Sequence, residues 1–242
     1  MRGRLIWKMA GFRMFEHCKA VVFDLDNTLI VRRMTLRKLS YYVNRFYFKE
    51  RPAEHEKIAA AFCECFQSGY TDLRECFSAF QERSRWRHSA DYQEFQSMWD
   101  FYYPFCTCRE PEASCVCELS RMGYRIGILT NGTAVLQQGK VDVAGFRDWF
   151  EFVIATREIG PDKPDPYPFF YVADMMKLAP QEIVYVGDYP PNDIDAPRRV
   201  GMQTVWFSKY ADWDDRFARA DAEISSLSEL KELFPALQNR VM

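Results

Sequence analysis

The chain reads as an α/β protein: a parallel sheet flanked by helices, with a helical bundle inserted after the first strand. Three observations predict this. An apolar run near the start, AVVFDLDNTLI, drives straight into Asp24 and Asp26. From about Met34 to Phe105 the apolar residues recur only at helical spacing. After Pro104, short apolar runs alternate with helical patterns. That alternation requires parallel strands joined by crossover helices, so the run at Ala20 belongs to the same sheet.

The first helix of the bundle is predicted to begin near Thr35 as N-cap, with Leu36, Leu39, Val43 and Phe46 inward and Pro52 closing it. The second spans about 53–67, with Ile58, Phe62 and Phe66 on one face and Gly69 as its stop. The third starts at Asp72 and carries Leu73, Cys76, Phe77 and Phe80. The fourth spans about 91–102, with Phe95, Met98, Trp99 and Tyr102 inward, and ends at Pro104. Four amphipathic helices in succession form a small antiparallel bundle. Its aromatics, including Tyr41 and Tyr42, are expected in the core.

A helix over about 112–122 then leads through Gly123 into the strand YRIGILTNG. A helix over 133–143, the strand EFVIAT, a helix over 166–177 and the strand EIVYVGD follow. A helix over 192–200, a last strand QTVWFS and a final helix SLSELKELF end the chain.

Bulk composition excludes several classes. With 242 residues, 48% hydrophobic and 27% charged, the chain can bury a substantial core of one or two domains. A net charge of −2 gives no overall electrostatic case for nucleic acid, and no apolar run approaches the ~20 residues of a membrane helix. In the first stretch, MRGRLIWKMAGFRMFEHC, Lys8 and Arg13 interrupt what would be the apolar segment of an export signal. Residues 1–18 are expected to be a flexible extension and the protein to be cytoplasmic. Disulfides are then not expected among the eight cysteines. The pairs Cys106/Cys108 and Cys115/Cys117 raise zinc, but structural zinc uses CxxC-type spacing, and Cys115 and Cys117 fall on a predicted helix, where residues two apart point about 200° apart and cannot share an ion. Buried thiols are the simpler reading. His17, His55 and His88 show no metal spacing and are expected at the surface.

Ligands of an open parallel sheet bind at the carboxyl ends of its strands. The first strand delivers Asp24 and Asp26 there, and the second delivers Thr130, Asn131 and Gly132. The fourth delivers Gly187 and Asp188, with Asn192 and Asp193 just after, and the loop GPDKPDP delivers Lys163. Several carboxylates converging on one point need a hard cation, and Mg²⁺ takes oxygen ligands. A threonine hydroxyl and backbone amides at a helix N-terminus suit a phosphate. A metal and a lysine stabilise charge on a transferring phosphoryl group, and an aspartate can serve as its nucleophile.

In these motifs the chain resembles the haloacid dehalogenase superfamily, in particular its capped phosphatases. DLDNT resembles the first family motif, DxDxT; ILTNG the second; Lys163 in KPDP the third; GDYPPND the fourth. Order and spacing agree over about Lys19 to Phe207. The resemblance implies a Rossmann-like core over 19–32 and 106–242 and a helical cap over 33–105. It implies Asp24 as nucleophile and Asp26 as general acid and base. Thr130, Asn131 and Gly132 would hold phosphate, with Lys163 neutralising the Asp24–phosphate pair. Mg²⁺ would sit on Asp24, Asp26 through its backbone carbonyl, Asp188 and Asp193. Thr28 would support the loop. Asp162 and Asp165 are read as solvated. An Asp at position 26 argues for phosphate ester hydrolysis, because breaking a carbon–halogen bond needs no leaving-group proton.

One departure is Pro197, placed past the first turn of the helix at Asn192, where it would disturb Asp193. The start of the cap is basic, and Arg32 and Arg33 at its hinge are the residues there with a functional expectation; the others are read as a solvated face. No thiol is expected at the site. The expected reaction is Mg²⁺-dependent hydrolysis of a small phosphorylated metabolite, such as a nucleoside monophosphate or a sugar phosphate. A phosphomutase of the β-phosphoglucomutase type, a silent binding protein on the same fold, and a phosphatase of proteins or RNA are the competing readings.

Overall fold

The computed structural model describes residues 14–67, 69–85, 92–107, 109–111 and 113–237. The expectations for the extension up to residue 13, His88, Cys108 and the helix starts at Asp91 and Glu112 lie outside these residues, whereas Phe15 and Cys18, placed in a flexible extension by the sequence, are buried in the core, where the Phe15 ring packs on Phe234. Six parallel strands form one sheet in the order β3-β2-β1-β4-β5-β6. They are β1 (Ala20–Phe23), β2 (Arg125–Thr130), β3 (Phe152–Ala155), β4 (Ile183–Gly187), β5 (Gln203–Phe207) and β6 (Ala222–Ile224). Alternation divides each strand between the two faces of the sheet. Phe23, Ile128 and Val186 join one apolar cluster; Val22, Leu129 and Tyr185 join the other. Strand order reverses between β1 and β4, which pair Ala20 with Ile183 through Phe23 with Val186. This switch point opens a crevice where the first strand ends.

Helices α1 (Arg32–Tyr47), α2 (His55–Phe66), α3 (Leu73–Ser84) and α4 (Tyr92–Asp100) lie between β1 and β2. The predicted cap at Thr35 is wrong: α1 begins a turn earlier with Val31 as N-cap, and Thr35 is buried. Its inward stripe therefore runs Arg32, Leu36, Leu39, Val43 and continues toward Tyr47. Phe46 falls off that stripe and is 57% exposed, with Tyr41 and Tyr42 also exposed, contrary to the core expectation. Asp72 does cap α3, accepting from the N–H groups of Arg74 and Glu75. Phe62, Phe66, Phe77, Phe80 and Phe95 fill the interior between the helices. They belong to the same apolar cluster as one face of the sheet, so the core is continuous from sheet to inserted helices.

The remaining helices are α5 (Val116–Arg121), α6 (Ala134–Ala144), α7 (Tyr167–Met176), α8 (Ala196–Arg199) and α9 (Leu230–Leu233). β6 had no counterpart in the sequence reading. It is three residues at a sheet edge with Glu223 at its centre, too short to show a period. Among the described residues, no helix is long and apolar enough to cross a membrane. His17 is exposed as expected, whereas His55 is half-buried with its Nε2 against the Phe48 carbonyl at 3.0 Å.

Candidate active site

The strand β1 ends at Phe23, and the Asp24 N–H still reaches the Val186 carbonyl at 2.9 Å. The chain then turns back on itself. Asn27 takes a left-handed conformation (φ 61°), and the N–H groups of Leu29 and Ile30 bond the Leu25 carbonyl. Asn tolerates that conformation better than most side chains. The turn leaves both Asp24 and Asp26 lining a cleft of about 700 Å³ between the sheet and the inserted helices.

The two carboxylates have different surroundings. Asp24 Oδ1 accepts from Lys163 Nζ at 2.8 Å. The same ammonium donates to Asp193 Oδ1 at 2.7 Å and to the Tyr185 hydroxyl at 2.7 Å, which donates onward to the Leu129 carbonyl at 2.6 Å. Asp193 also accepts from the Tyr189 N–H at 3.0 Å. It packs so closely on Gly187 that a Cβ there would stand 2.5 Å from its own, so glycine at the end of β4 is required. Residues Pro190–Asp195 wind as one wide π-helical turn before α8. Pro197 consequently lies in the first turn of α8, where a missing N–H costs nothing, and the expected disturbance of Asp193 does not occur.

Asp24, Asp188 and Asp193 each place a carboxylate oxygen within 4.8 Å of the others. All are buried. Burial pushes the Asp24 carboxyl up and Asp193 adds to this, with Lys163 offsetting part of it. Burial, Asp193 and Asp24 hold Asp188 well above the ordinary carboxylate range. Burial alone would lower Lys163, but Asp193 and Asp24 hold it well above its ordinary value. Three carboxylates thus share one lysine charge. That excess of hard oxygen donors fits a divalent cation such as Mg²⁺. The tryptophan Nε1 of Trp206 donates to the Asp188 carbonyl at 2.9 Å, and Tyr70 reaches Asp188 Oδ1 at 3.2 Å from the inserted segment. The Tyr70 ring stacks on Tyr189, centroids 3.5 Å apart.

Asp26 turns elsewhere. Its Oδ2 accepts from Lys140 Nζ at 2.6 Å, with Arg32 Nη1 at 3.8 Å. Burial would raise its carboxyl, but Lys140 and then Arg32 outweigh burial and hold it below the ordinary value. Its carboxylate is not part of the three-carboxylate group.

Thr130 ends β2, is buried and lines the cleft beside Asn131 and Gly132. The Asn131 side chain is structural: it donates to the Lys163 carbonyl at 2.9 Å and accepts from the Lys163 N–H at 2.8 Å, clamping that loop to β2. The Gly132 N–H faces Thr156 Oγ1 at 3.3 Å and Asp162 Oδ1 at 3.4 Å rather than open space. Asp162 is not the solvated residue expected: its Oδ1 also accepts from the Thr156 hydroxyl, and Arg157 lies 3.2 Å from its Oδ2. Asp165 is exposed and accepts from the Tyr167 N–H at 2.8 Å. Thr28 is buried in the loop it was expected to support.

Sequence reasoning missed Lys140, Gln137, Tyr70, Tyr102 and Tyr185. Helical spacing could have found Lys140, since it stands on the Leu136 face of α6, which faces the cleft. Nothing local marks Tyr185, one aromatic in an apolar strand. The thiol expectation also needs correction, because Cys76 lines the cleft; burial raises its pKa. Arg32 is buried at the site, as its hinge position suggested, whereas Arg33 is exposed.

The haloacid dehalogenase-like hydrolase family matches residues 18–201. The glyceraldehyde 3-phosphate phosphatase of Methanopyrus kandleri is 39% identical over 101 residues, 41% of this chain and 43% of that protein. The human N-acylneuraminate-9-phosphatase is 30% identical over 207 residues, covering 79% of this chain and 83% of its own. The chain spans about half the length of several curated relatives that it matches. Among solved structures, the HAD-hydrolase YfnB from Bacillus subtilis, bound to magnesium, superposes with a TM-score of 0.71 at 18% identity, over 89% of this chain and 98% of that one.

Proposed function

This chain belongs to the haloacid dehalogenase-like hydrolases, and from that premise we propose that it is a phosphatase of small phosphate monoesters working through an aspartyl-phosphate. The observation that carries this is Asp24, which lines the cleft, in contact with Lys163 at 2.8 Å and belonging to a buried group of three carboxylates. In this reading Asp24 attacks phosphorus, and Lys163 offsets the charge on the pair. Asp26 protonates the departing oxygen, then takes a proton from the water that cleaves the aspartyl-phosphate. Thr130 offers its hydroxyl to the phosphoryl oxygens. Asp24, Asp188, Asp193 and the Asp26 carbonyl would hold Mg²⁺, which when bound supplies positive charge against the phosphoryl oxygens.

The segment 33–105 serves as a cap over the core of 19–32 and 106–242. Its Tyr70, Trp99 and Tyr102 line the cleft, and closure over a small substrate would exclude water. The relatives bear different substrate names, so a nucleoside monophosphate or a sugar phosphate both remain within the class.

The test is phosphate release from a panel of small esters, with Mg²⁺ and with chelator, by wild type and Asp24→Asn. Release that needs the metal and falls at least about 10³-fold in the variant supports the reading. Equal release by both proteins would refute it.

A further inference from the structure

Lys140 is a buried charged side chain lining the cleft that the mechanism above leaves without a task. It lies along α6, two turns beyond the N-cap Thr133 that follows the Thr130 loop. It is 1% exposed. Its ammonium stands 2.6 Å from Asp26 Oδ2 and 5.1 Å from the centre of the Tyr102 ring. Burying a lysine is costly, and an apolar side chain would fill the same volume without that cost. Among the described residues its carboxylate partner is Asp26, not Asp24 or Asp188.

Arg32 completes the arrangement from the other side. It stands 3.8 Å from the same carboxylate oxygen. Its Nε and Nη2 donate to the Phe66 carbonyl at 3.4 and 3.3 Å, at the end of α2, and its Nη1 to the Tyr102 hydroxyl at 3.5 Å. Gly69 runs so close that a Cβ would meet the Arg32 guanidinium carbon at 3.1 Å. Asp26 is thereby held between a core helix and the inserted segment.

We propose that Lys140 is a positioning residue for the reaction: it holds Oδ2 of Asp26 so that Oδ1 faces the leaving-group oxygen, and Arg32 ties that orientation to the helical insertion. This rests on the phosphatase reading. In the step concerned the P–O ester bond breaks, its electron pair stays on the departing oxygen, and that oxygen takes the proton of Asp26. Lys140 keeps its own proton throughout.

A positioner of the acid is needed only where the leaving group needs a proton. An alkyl phosphate needs one, whereas p-nitrophenyl phosphate leaves as a stable phenolate. The experiment measures kcat and KM on both esters for wild type, Lys140→Met, Lys140→Arg and Asp24→Asn. The expected result is a fall in kcat/KM of about 10–100-fold on the alkyl ester against at most about threefold on the aryl ester, carried by kcat. Lys140→Arg recovers part of the alkyl rate. Equal losses on both esters, or a loss carried by KM alone, overturn the proposal and make Lys140 a structural or phosphate-binding residue. Should Lys140→Met not fold, Lys140→Gln, which keeps an N–H donor without the charge, reads the same ratio. Release by Asp24→Asn equal to wild type overturns the phosphatase reading, and this proposal with it.

Discussion

At Lys163 one ammonium serves Asp24, Asp193 and Tyr185 at once. Removing it leaves two buried carboxylates without their cation. Lys163→Met should cost about 3–5 kcal/mol of stability, read by urea denaturation, and abolish phosphate release. Cysteines behave oppositely. Cys18 is fully buried, and burial pushes its thiol up to about 12, with Asp221 and Glu182 adding to it. At pH 8 Cys18 should resist alkylation in the folded protein and react in denaturant, as read by mass spectrometry. Residue types at the site were legible because carboxylates at strand ends are chemically conspicuous. The role of Asn131 was not, because it depends on Lys163, far along the chain, which no local pattern names.

The inserted helices stand by their aromatic interior. Phe62 is fully buried and its ring meets those of Phe66 and Phe80 at 4.6 and 5.2 Å. Phe62→Ala should destabilise by about 3–5 kcal/mol in thermal or urea unfolding. Asp72→Ala removes the cap of α3 and should cost about 0.5–2 kcal/mol, far less than the core cavity. These elements, with the start of α3 at Asp72, were readable from periodicity. The start of α1 was not: Arg32 was expected at a hinge ahead of the helix, and its buried contacts with the Phe66 carbonyl and Tyr102 draw it into the helix stripe.

Across the molecule, Asp24 and Asp188 bear on how stability responds to pH. Asp24 and Asp188 are raised, so the folded state holds their protons more tightly than the unfolded chain does. The stability this confers is present below the ordinary carboxylate range and is lost as pH rises through the raised values. Without metal, Tm should therefore fall from pH 5 to pH 8, other groups being equal. Mg²⁺ should raise Tm more at pH 8 than at pH 5, where protons compete for the same oxygens. Asp188→Asn should flatten that metal response in differential scanning fluorimetry. A metal shift equal at both pH values would contradict this account.

The sequence by itself determined the strand–helix alternation, the helical insertion after β1 and the acids at the strand ends, because hydrophobic period and local chemistry are properties of neighbours in the chain. The tertiary structure decided what each acid does. Crossing β4 beside β1 brought Asp188 and Asp193 to Asp24, and winding α6 back over the cleft gave Asp26 a lysine of its own. Charges separated by a hundred residues or so interact only once the fold closes the distance, and a Coulomb interaction inside the protein depends on that distance and on burial, neither of which is written in the order of residues.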